Sequence, residues 1–272
     1  MCRWAAYRGD PLYLDQLVSS PVHSLIEQSH CATRAKTPTN GDGFGIAWYG
    51  DWTEPGRYRD ILPAWSDCNL RSLARQIRSP LFLAHVRAAT GGATRRDNCH
   101  PFVHGKWCFM HNGQIVDYER LRRRLEGMLD DELFNDRCGT TDSELIFLLA
   151  LQFGLAEDPV RAMSIATGVV EELAMTIVGS ALLRFTAAFS DGKSLYAIRY
   201  ATDSKAPSLY AAPLNMGSGY CLVSEPLNDD IDAWVEIPTG SAVAVTERGF
   251  DVMQFTPRRP LALREQPIAK SA

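Results

Sequence analysis

No CxxC pair occurs among the cysteines, no apolar run is long enough to cross a bilayer, and neither sign of charge dominates the 272 residues. Each absence excludes something. The seven cysteines (Cys2, Cys31, Cys68, Cys99, Cys108, Cys138 and Cys221) are odd in number and scattered. That pattern argues against a disulfide framework or a thioredoxin-type redox pair, and for small buried thiols in a reducing compartment. The longest strongly apolar stretch, Leu145 to Leu151, falls far short of the roughly 20 residues a membrane helix needs. The opening MCRWAAYRGD has no apolar core of the secretory kind. Lys and Arg number 28 against 32 Asp and Glu, a formal charge of −4, so no nucleic-acid partner is expected. What remains is ordinary globular composition, with 46% hydrophobic and 22% charged residues, which predicts a soluble, cytoplasmic protein.

The hydrophobic pattern runs strands, then helices, then strands. Arg3 to Tyr7 reads as a strand, followed by a turn at Gly9-Asp10-Pro11 and a short helical stretch through Leu12 to Leu17. Residues 37–45 are rich in turn formers and precede a strand over Ile46 to Tyr49. Asp67 is placed to cap a helix from Cys68 to Ile77 that ends before Pro80. Leu81 to Ala88 and Lys106 to His111 read as strands, the first nearly all apolar and so central. Asp117 to Leu129 is an amphipathic helix whose four arginines form a solvated face. Thr141-Asp142-Ser143-Glu144 matches a capping box ahead of an apolar run, and another helix spans Asp158 to Val178. Strands follow over Leu183 to Phe189 and Ser194 to Arg199 around an Asp191-Gly192 hairpin turn, then over 209–211, 220–223, 241–246 and 251–255. The order predicts an α+β fold of two sheets with packed helices, one domain over 1–272, and a loose tail in the last dozen residues.

Four short segments carry chemistry. Cys2 directly follows Met1; removal of that methionine makes Cys2 the first residue, and its own α-amine, of pKa about 8, can accept the thiol proton. The bland alternative is a cysteine that merely follows Met1. His111-Asn112-Gly113 at the end of a predicted strand offers a neutral amide donor and a backbone N–H, as an oxyanion site requires; an ordinary Asn-Gly turn is the alternative. Arg87, at the end of a central strand and followed by small residues and glycines, presents a cationic fork over open space suited to a carboxylate, or makes a structural ion pair. Asp142 at a helix start either caps that helix or receives an ammonium. Together they form a set for attack on the side-chain amide of an amino acid.

Met1-Cys2, AHVRAAT (84–90), HNG (111–113) and TTDSE (140–144), in that order, resemble the class II glutamine amidotransferases. NGDGFGIAW (40–48), NCHPF (98–102) and SEPLNDDIDAW (224–234) extend the resemblance over about 230 residues. It implies the N-terminal-nucleophile hydrolase fold, a four-layer αββα sandwich of two mainly antiparallel sheets, and a γ-glutamyl thioester on Cys2. It further implies that Arg87 binds the glutamyl α-carboxylate, Asp142 its α-ammonium, and Asn112 and Gly113 the oxyanion, with Thr90 beside the substrate. No cofactor is implied. Synthase-linked members read RWATHG where this chain has Ala88 and Gly91, so a more open rim and a substrate larger than free glutamine are expected. The wording is most similar to a small amidotransferase-like subgroup that includes the γ-glutamyl hydrolase of ergothioneine synthesis.

No synthase domain follows within the chain, so released ammonia either passes to a separate synthase subunit or is not the point of the reaction; hydrolysis of a γ-glutamyl amide is favoured. A non-catalytic glutamyl-binding regulator would need Arg87 and Asp142 but not a thiol at position 2. Cys99, His100, His104, Cys108 and His111 fall within thirteen residues, yet their spacings do not match paired zinc ligands, and no metal is expected. Gly41 to Gly45 lacks both a GK[ST] ending and a strand–GxGxxG–helix context, and is expected to be a flexible loop near the active site.

Overall fold

Alternation along the strands sorts side chains onto two faces of each sheet, and that sorting builds the layers. The structure, a computed structural model, describes residues 2–30, 39–89, 93–214 and 219–259. The first half contributes β1 (Arg3–Tyr13), α1 (Asp15–Val18), α2 (Leu25–His30), β2 (Phe44–Trp48), β3 (Gly56–Asp60), α3 (Cys68–Gln76) and β4 (Arg78–Val86). The middle adds β5 (Phe102–His104), β6 (Trp107–Ile115), α4 (Tyr118–Glu126), α5 (Asp131–Asp136), α6 (Asp142–Gln152) and α7 (Pro159–Ile177). The last part adds β7 (Leu183–Ser190), β8 (Leu195–Ala201), β9 (Tyr210–Leu214), β10 (Gly219–Val223), β11 (Val235–Glu236), β12 (Ser241–Thr246) and β13 (Gly249–Gln254).

One sheet has seven strands in the order β11-β9-β10-β1-β4-β2-β3, and the other six in the order β13-β12-β8-β7-β6-β5. All their pairings are antiparallel. In β1, Ala5 and Tyr7 pack outward against Leu17, Leu25 and Leu70 of the first three helices. Trp4 and Ala6 point inward to meet Cys108, Met110, Ala188 and Val243 of the other sheet. On that sheet's outer face Phe109, Phe185 and Phe189 pack on Leu121, Phe147 and Val170 of α4, α6 and α7. The layers are therefore helices, sheet, sheet, helices: the αββα sandwich that the family resemblance implies. Among the described residues no helix is long and apolar enough to cross a membrane.

Several local expectations are corrected. β1 does not turn at Gly9-Asp10-Pro11; it runs on to Tyr13, and its register against β4 shifts between Arg8 and Leu12. Pro80 does not stop a helix, since α3 ends at Gln76 and Pro80 lies within β4. Arg8 pairs with Leu81 and Leu12 with Ser79, which leaves Pro80 in the gap of the bulge, where its missing N–H breaks no ladder bond. Asp67 and Asp158 do cap their helices, accepting from Leu70 N and Arg161 N. The tail from residue 260 onward lies outside the described residues.

Candidate active site

Cys2 stands one residue before β1, on the same parity as Trp4 and Ala6, and so on the face turned toward the second sheet. Its neighbour Arg3 is buried and forms an ion pair of 2.5 Å with buried Glu225, while Arg3 Nη1 donates to the Cys2 carbonyl at 3.0 Å. Ser224 Oγ accepts from Trp4 N at 2.9 Å, so residues 224 and 225 fix the chain that follows Cys2. The thiol lies 3.5 Å from the Ala88 carbonyl. Burial pushes its pKa up, and the Arg87 and Arg3 guanidiniums pull partly the other way. A thiol raised by burial needs a proton acceptor before it can attack. Among the described residues no histidine or carboxylate side chain is hydrogen-bonded to Sγ. Met1 lies outside them.

Arg87 continues the β2–β4 pairing beyond Val86. Its N–H donates to Gly43 O at 2.8 Å, and its carbonyl accepts from Asp42 N at 3.1 Å. Asp42 Oδ2 then takes the Ala89 N–H at 2.7 Å. The 41–45 loop, expected to be flexible, is thus a hydrogen-bonded brace under Arg87. Gly43 permits it: at φ +110, a Cβ there would lie 2.5 Å from Cys99 Sγ and 2.8 Å from Asp60 O. Arg87 itself is 4% exposed, buried rather than standing over open space. Thr90 and Gly91, and with them the expected open rim, lie outside the described residues.

Asn112 and Gly113 do not end a strand. They sit inside β6, opposite Thr186 and Phe185 of β7. Cys108 and Met110 pack between the sheets, so strand parity sends the Asn112 side chain toward the same interior as Cys2 and Arg87. Asn112 is buried, and its carboxamide has no hydrogen-bond partner among the described residues. β5 pairs with β6 only as far as Phe109, so the second edge of β6 is open from Met110 onward. There Ile115 N donates to Asp142 Oδ2 at 2.8 Å, and the His111 carbonyl lies 3.3 Å from His85 Nε2. Gly113 shares their parity, which turns its N–H away from β7. A side chain at Gly113 is impossible, because at φ +151 its Cβ would fall 1.9 Å from Arg184 O.

Asp142 is the first residue of α6. Its Oδ1 takes the Ser143 N–H at 2.8 Å and its Oδ2 the Ile115 N–H, which docks this helix end against β6 two residues past Gly113. Thr141 caps the helix, accepting from Glu144 N. The reciprocal half of the predicted capping box is absent: Glu144 instead accepts Cys138 N at 3.0 Å and Gly139 N at 2.7 Å, fastening the turn that precedes the cap. A cavity of about 410 Å³ reaches Asp142 and is lined also by Gln114, Ile115, Tyr118 and Thr141.

Histidines connect these parts. His85, on the strand that leads to Arg87, spans to the His111 carbonyl of β6 and stacks on His100 with ring centroids 4.2 Å apart. His111 Nδ1 meets Ser143 Oγ at 2.9 Å, beside Asp142. Burial lowers all three pKa values, His85 to about 3, so each ring is neutral at pH 7. Of the residues weighed as metal ligands, Cys108 packs between the sheets, His111 faces α6, and His104 pairs with Asp136 at 3.1 Å. Sequence reasoning missed Glu225, Asp42 and Glu144 as supports. Each lies within a segment that was singled out, but its partner is distant along the chain.

The layers, with Cys2, Arg87 and Asn112 on strand faces turned toward the space between two antiparallel sheets, form a sandwich of the N-terminal-nucleophile hydrolase type. Comparison with known proteins narrows this. The family model for class II glutamine amidotransferases matches residues 18–210, and the chain belongs to that family of amidotransferase and amidohydrolase enzymes. It is 32% identical to the Saccharomyces cerevisiae protein named "Probable glutamine amidotransferase DUG3", over the whole of this chain and 90% of that one. It is 31% identical to the gamma-glutamyl-hercynylcysteine sulfoxide hydrolase of Mycolicibacterium smegmatis, over 91% of this chain and 96% of that one. A solved class II glutamine aminotransferase domain protein from Silicibacter pomeroyi superposes with a TM-score of 0.76 at 38% identity, covering 94% of this chain and all of that one.

Proposed function

We propose that this chain hydrolyses γ-glutamyl amides through a γ-glutamyl thioester on Cys2, after removal of Met1. The observation that carries the proposal is that Cys2, Arg87 and the Asn112 amide face one interior, with Asp142 bound to β6 at Ile115, two residues past Gly113. Arg87 takes the α-carboxylate as a bidentate fork, and Asp142 the α-ammonium. Thr90 keeps its place beside the glutamyl group by resemblance alone. The freed α-amine accepts the thiol proton, and the thiolate adds to the γ-carbonyl carbon. The Asn112 amide and Gly113 N–H hold the oxyanion. On collapse the C–N bond breaks, and the α-ammonium returns its proton to the departing amine. Water then adds to the thioester, giving one proton to the α-amine; the C–S bond breaks, the thiolate is reprotonated, and glutamate leaves. The two relatives named above, one an amidotransferase and one a γ-glutamyl hydrolase, support the substrate class. Six free thiols among the described residues support a reducing, cytoplasmic setting.

The test is intact mass before and after exposure to 6-diazo-5-oxo-L-norleucine, followed by turnover of glutamine and of γ-glutamyl amides with larger amines. Loss of Met1 and one adduct on Cys2, with larger amides turned over faster than glutamine, is the expected result. Turnover of glutamine alone would point instead to ammonia delivery to a separate synthase subunit. A processed chain that takes no adduct and cleaves nothing would be a glutamyl-binding regulator.

Asn112→Ala should lower kcat by roughly 10²–10³, the usual cost of one oxyanion donor, with KM little changed. A rise in KM at unchanged kcat would show that Asn112 shapes the pocket and does not stabilise the transition state.

A further inference from the structure

At Val86 the pairing of β4 with its two neighbours ends, opposite Arg3 of β1 and Phe44 of β2. The chain beyond is held by the 41–45 loop, in two separate ways. The first is main-chain: Arg87 N–H donates to Gly43 O and the Arg87 carbonyl accepts from Asp42 N, bonds that most residues at position 42 would make. The second belongs to the Asp42 side chain, whose Oδ2 accepts the Ala89 N–H at 2.7 Å. That N–H and the Ala88 carbonyl are parts of one planar peptide group and point to opposite sides of it. On the other side the carbonyl meets the Cys2 thiol, with Sγ 3.5 Å from the oxygen. A single rigid peptide therefore stands between the Asp42 carboxylate and the sulfur. Ala88 and Ala89 carry no polar side chain that could fix this peptide from elsewhere. The carboxylate is itself seated, because the Asp42 carbonyl accepts from Arg87 Nη1 at 3.4 Å.

We infer that Asp42 is a positioning residue for the nucleophile: by fixing the 88–89 peptide it sets where the Ala88 carbonyl points, and so how the Cys2 sulfur lies when a glutamyl group arrives. The inference rests on the proposed thioester route. It gives the loop two jobs, in which the main chain of residues 42 and 43 serves Arg87 and binding, while the Asp42 side chain serves Cys2 and attack. The peptide is a stiff lever, since rotation about its C–N bond is blocked and a shift of the N–H is a shift of the carbonyl. The thiol bond is weak in energy, but displacing a reacting group by about 1 Å can cost about a hundredfold in rate. What the Ala89 N–H needs is an acceptor in place, which an asparagine oxygen also supplies.

The experiment compares the processed wild type with Asp42→Ala, Asp42→Ser and Asp42→Asn. It measures kcat and KM for γ-glutamyl-p-nitroanilide, and the saturating rate and half-saturating concentration of Cys2 labelling by 6-diazo-5-oxo-L-norleucine. It also measures Cys2 alkylation by iodoacetamide, which needs a reactive thiol but no docked glutamyl group. For Asp42→Ala, kcat and the saturating labelling rate should fall roughly ten- to hundredfold, as expected for a misdirected nucleophile. KM and the half-saturating concentration should stay within about threefold, because the main-chain bonds to Arg87 remain. Alkylation should also stay within about threefold, because the thiol keeps its proton acceptor. Asp42→Asn should return both rates to within about threefold of the wild type. Asp42→Ser, whose hydroxyl oxygen stops one bond short of Oδ2, should behave as Asp42→Ala and carries the comparison alone if the alanine variant does not fold. Unchanged rates in the alanine and serine variants overturn the inference. So does a rise in KM at unchanged rates, which would make Asp42 a support of Arg87 alone. An Asp42→Asn variant as slow as Asp42→Ala overturns it by showing that the charge matters and the bond does not; a parallel fall in alkylation overturns it by marking a merely structural role. In all these cases the wild type still cleaves the anilide. A wild type that neither cleaves it nor takes the diazoketone overturns the proposed function, and the inference with it.

Discussion

Cys2→Ala should bring turnover of γ-glutamyl amides down by at least about 10³, to the level of uncatalysed hydrolysis, while glutamate still binds. The asymmetry follows from the division of labour in the site. The thiol supplies the electrons of the new bond. Arg87 and Asp142 supply recognition, and they stand on β4's extension and α6, which the substitution leaves intact. Among the described residues the Cys2 thiol makes one weak hydrogen bond, to the Ala88 carbonyl, so removing its sulfur breaks no strong bond. Calorimetric titration with glutamate, run beside an assay of amine release, checks both halves. Retained turnover would remove Cys2 as the nucleophile; lost glutamate affinity would show that the thiol is a binding group. A companion comparison uses the unprocessed chain. With Met1 in place the Cys2 nitrogen is an amide and no longer basic, and burial holds the thiol protonated. That form should bind glutamate, resist the diazoketone and release no amine. Proteolytic removal of Met1 should restore labelling and amine release and leave glutamate binding unchanged.

Sequence periodicity made the layers legible because burial on one face of each strand leaves a pattern of two. In β1, by contrast, both faces are buried and residues 4–7 are apolar without a break, so only the packed sheets sort Trp4 and Ala6 from Ala5 and Tyr7, and with them the side of Cys2. What stayed hidden is of two kinds. The first is strand length. His111-Asn112-Gly113 reads as a strand end because Asn-Gly is a turn signal, but β7 pairs through Ile115 and overrides local propensity. The site therefore depends not on a turn but on β5 stopping short, which leaves one edge of β6 open. The second kind is contact between remote residues. The S/T-x-x-E spacing correctly marks a helix start, yet Glu144 turns to Cys138 and Gly139, because Asn98 and Gly139 bring that turn within reach. Arg3 with Glu225, separated by 222 positions, carries no local signature at all.

Mild acid should destabilise this protein well before its carboxylates titrate. His85, His100 and His111 are all held neutral, chiefly by burial; the Arg87 charge pushes His85 and His100 further down, and Asp142 partly opposes this at His111. In the unfolded chain each has a pKa near 6.5. Below that value the unfolded state binds protons that the native state refuses, so stability rises with pH through this window and falls as pH drops from 6.5 toward His85's native value of about 3. A ring that stays neutral in the folded chain and charges in the unfolded one costs about 1.4 kcal/mol per pH unit; His85 does so down toward about pH 3, and His100 and His111 add to it, against a typical total of roughly 5–15 kcal/mol. Glu144 and Glu171, whose pKa values burial raises, give back a part of this as they take up protons, but they are two groups against three. Urea midpoints at pH 7.5, 6.5 and 5.5 should therefore be similar for the first pair and markedly lower at the last. His100→Phe isolates one ring. Among the described residues neither nitrogen of His100 has a partner, and its ring packs between His85 and Phe102, so an apolar ring of similar shape removes the protonation site without removing a described hydrogen bond. The variant should match the wild type or exceed it at pH 7.5 and lose less stability than the wild type per pH unit below 6.5. A midpoint that does not move between pH 7.5 and 5.5 would mean that these rings accept protons inside the folded protein, and that the bridge from His85 to β6 is charged while the enzyme works.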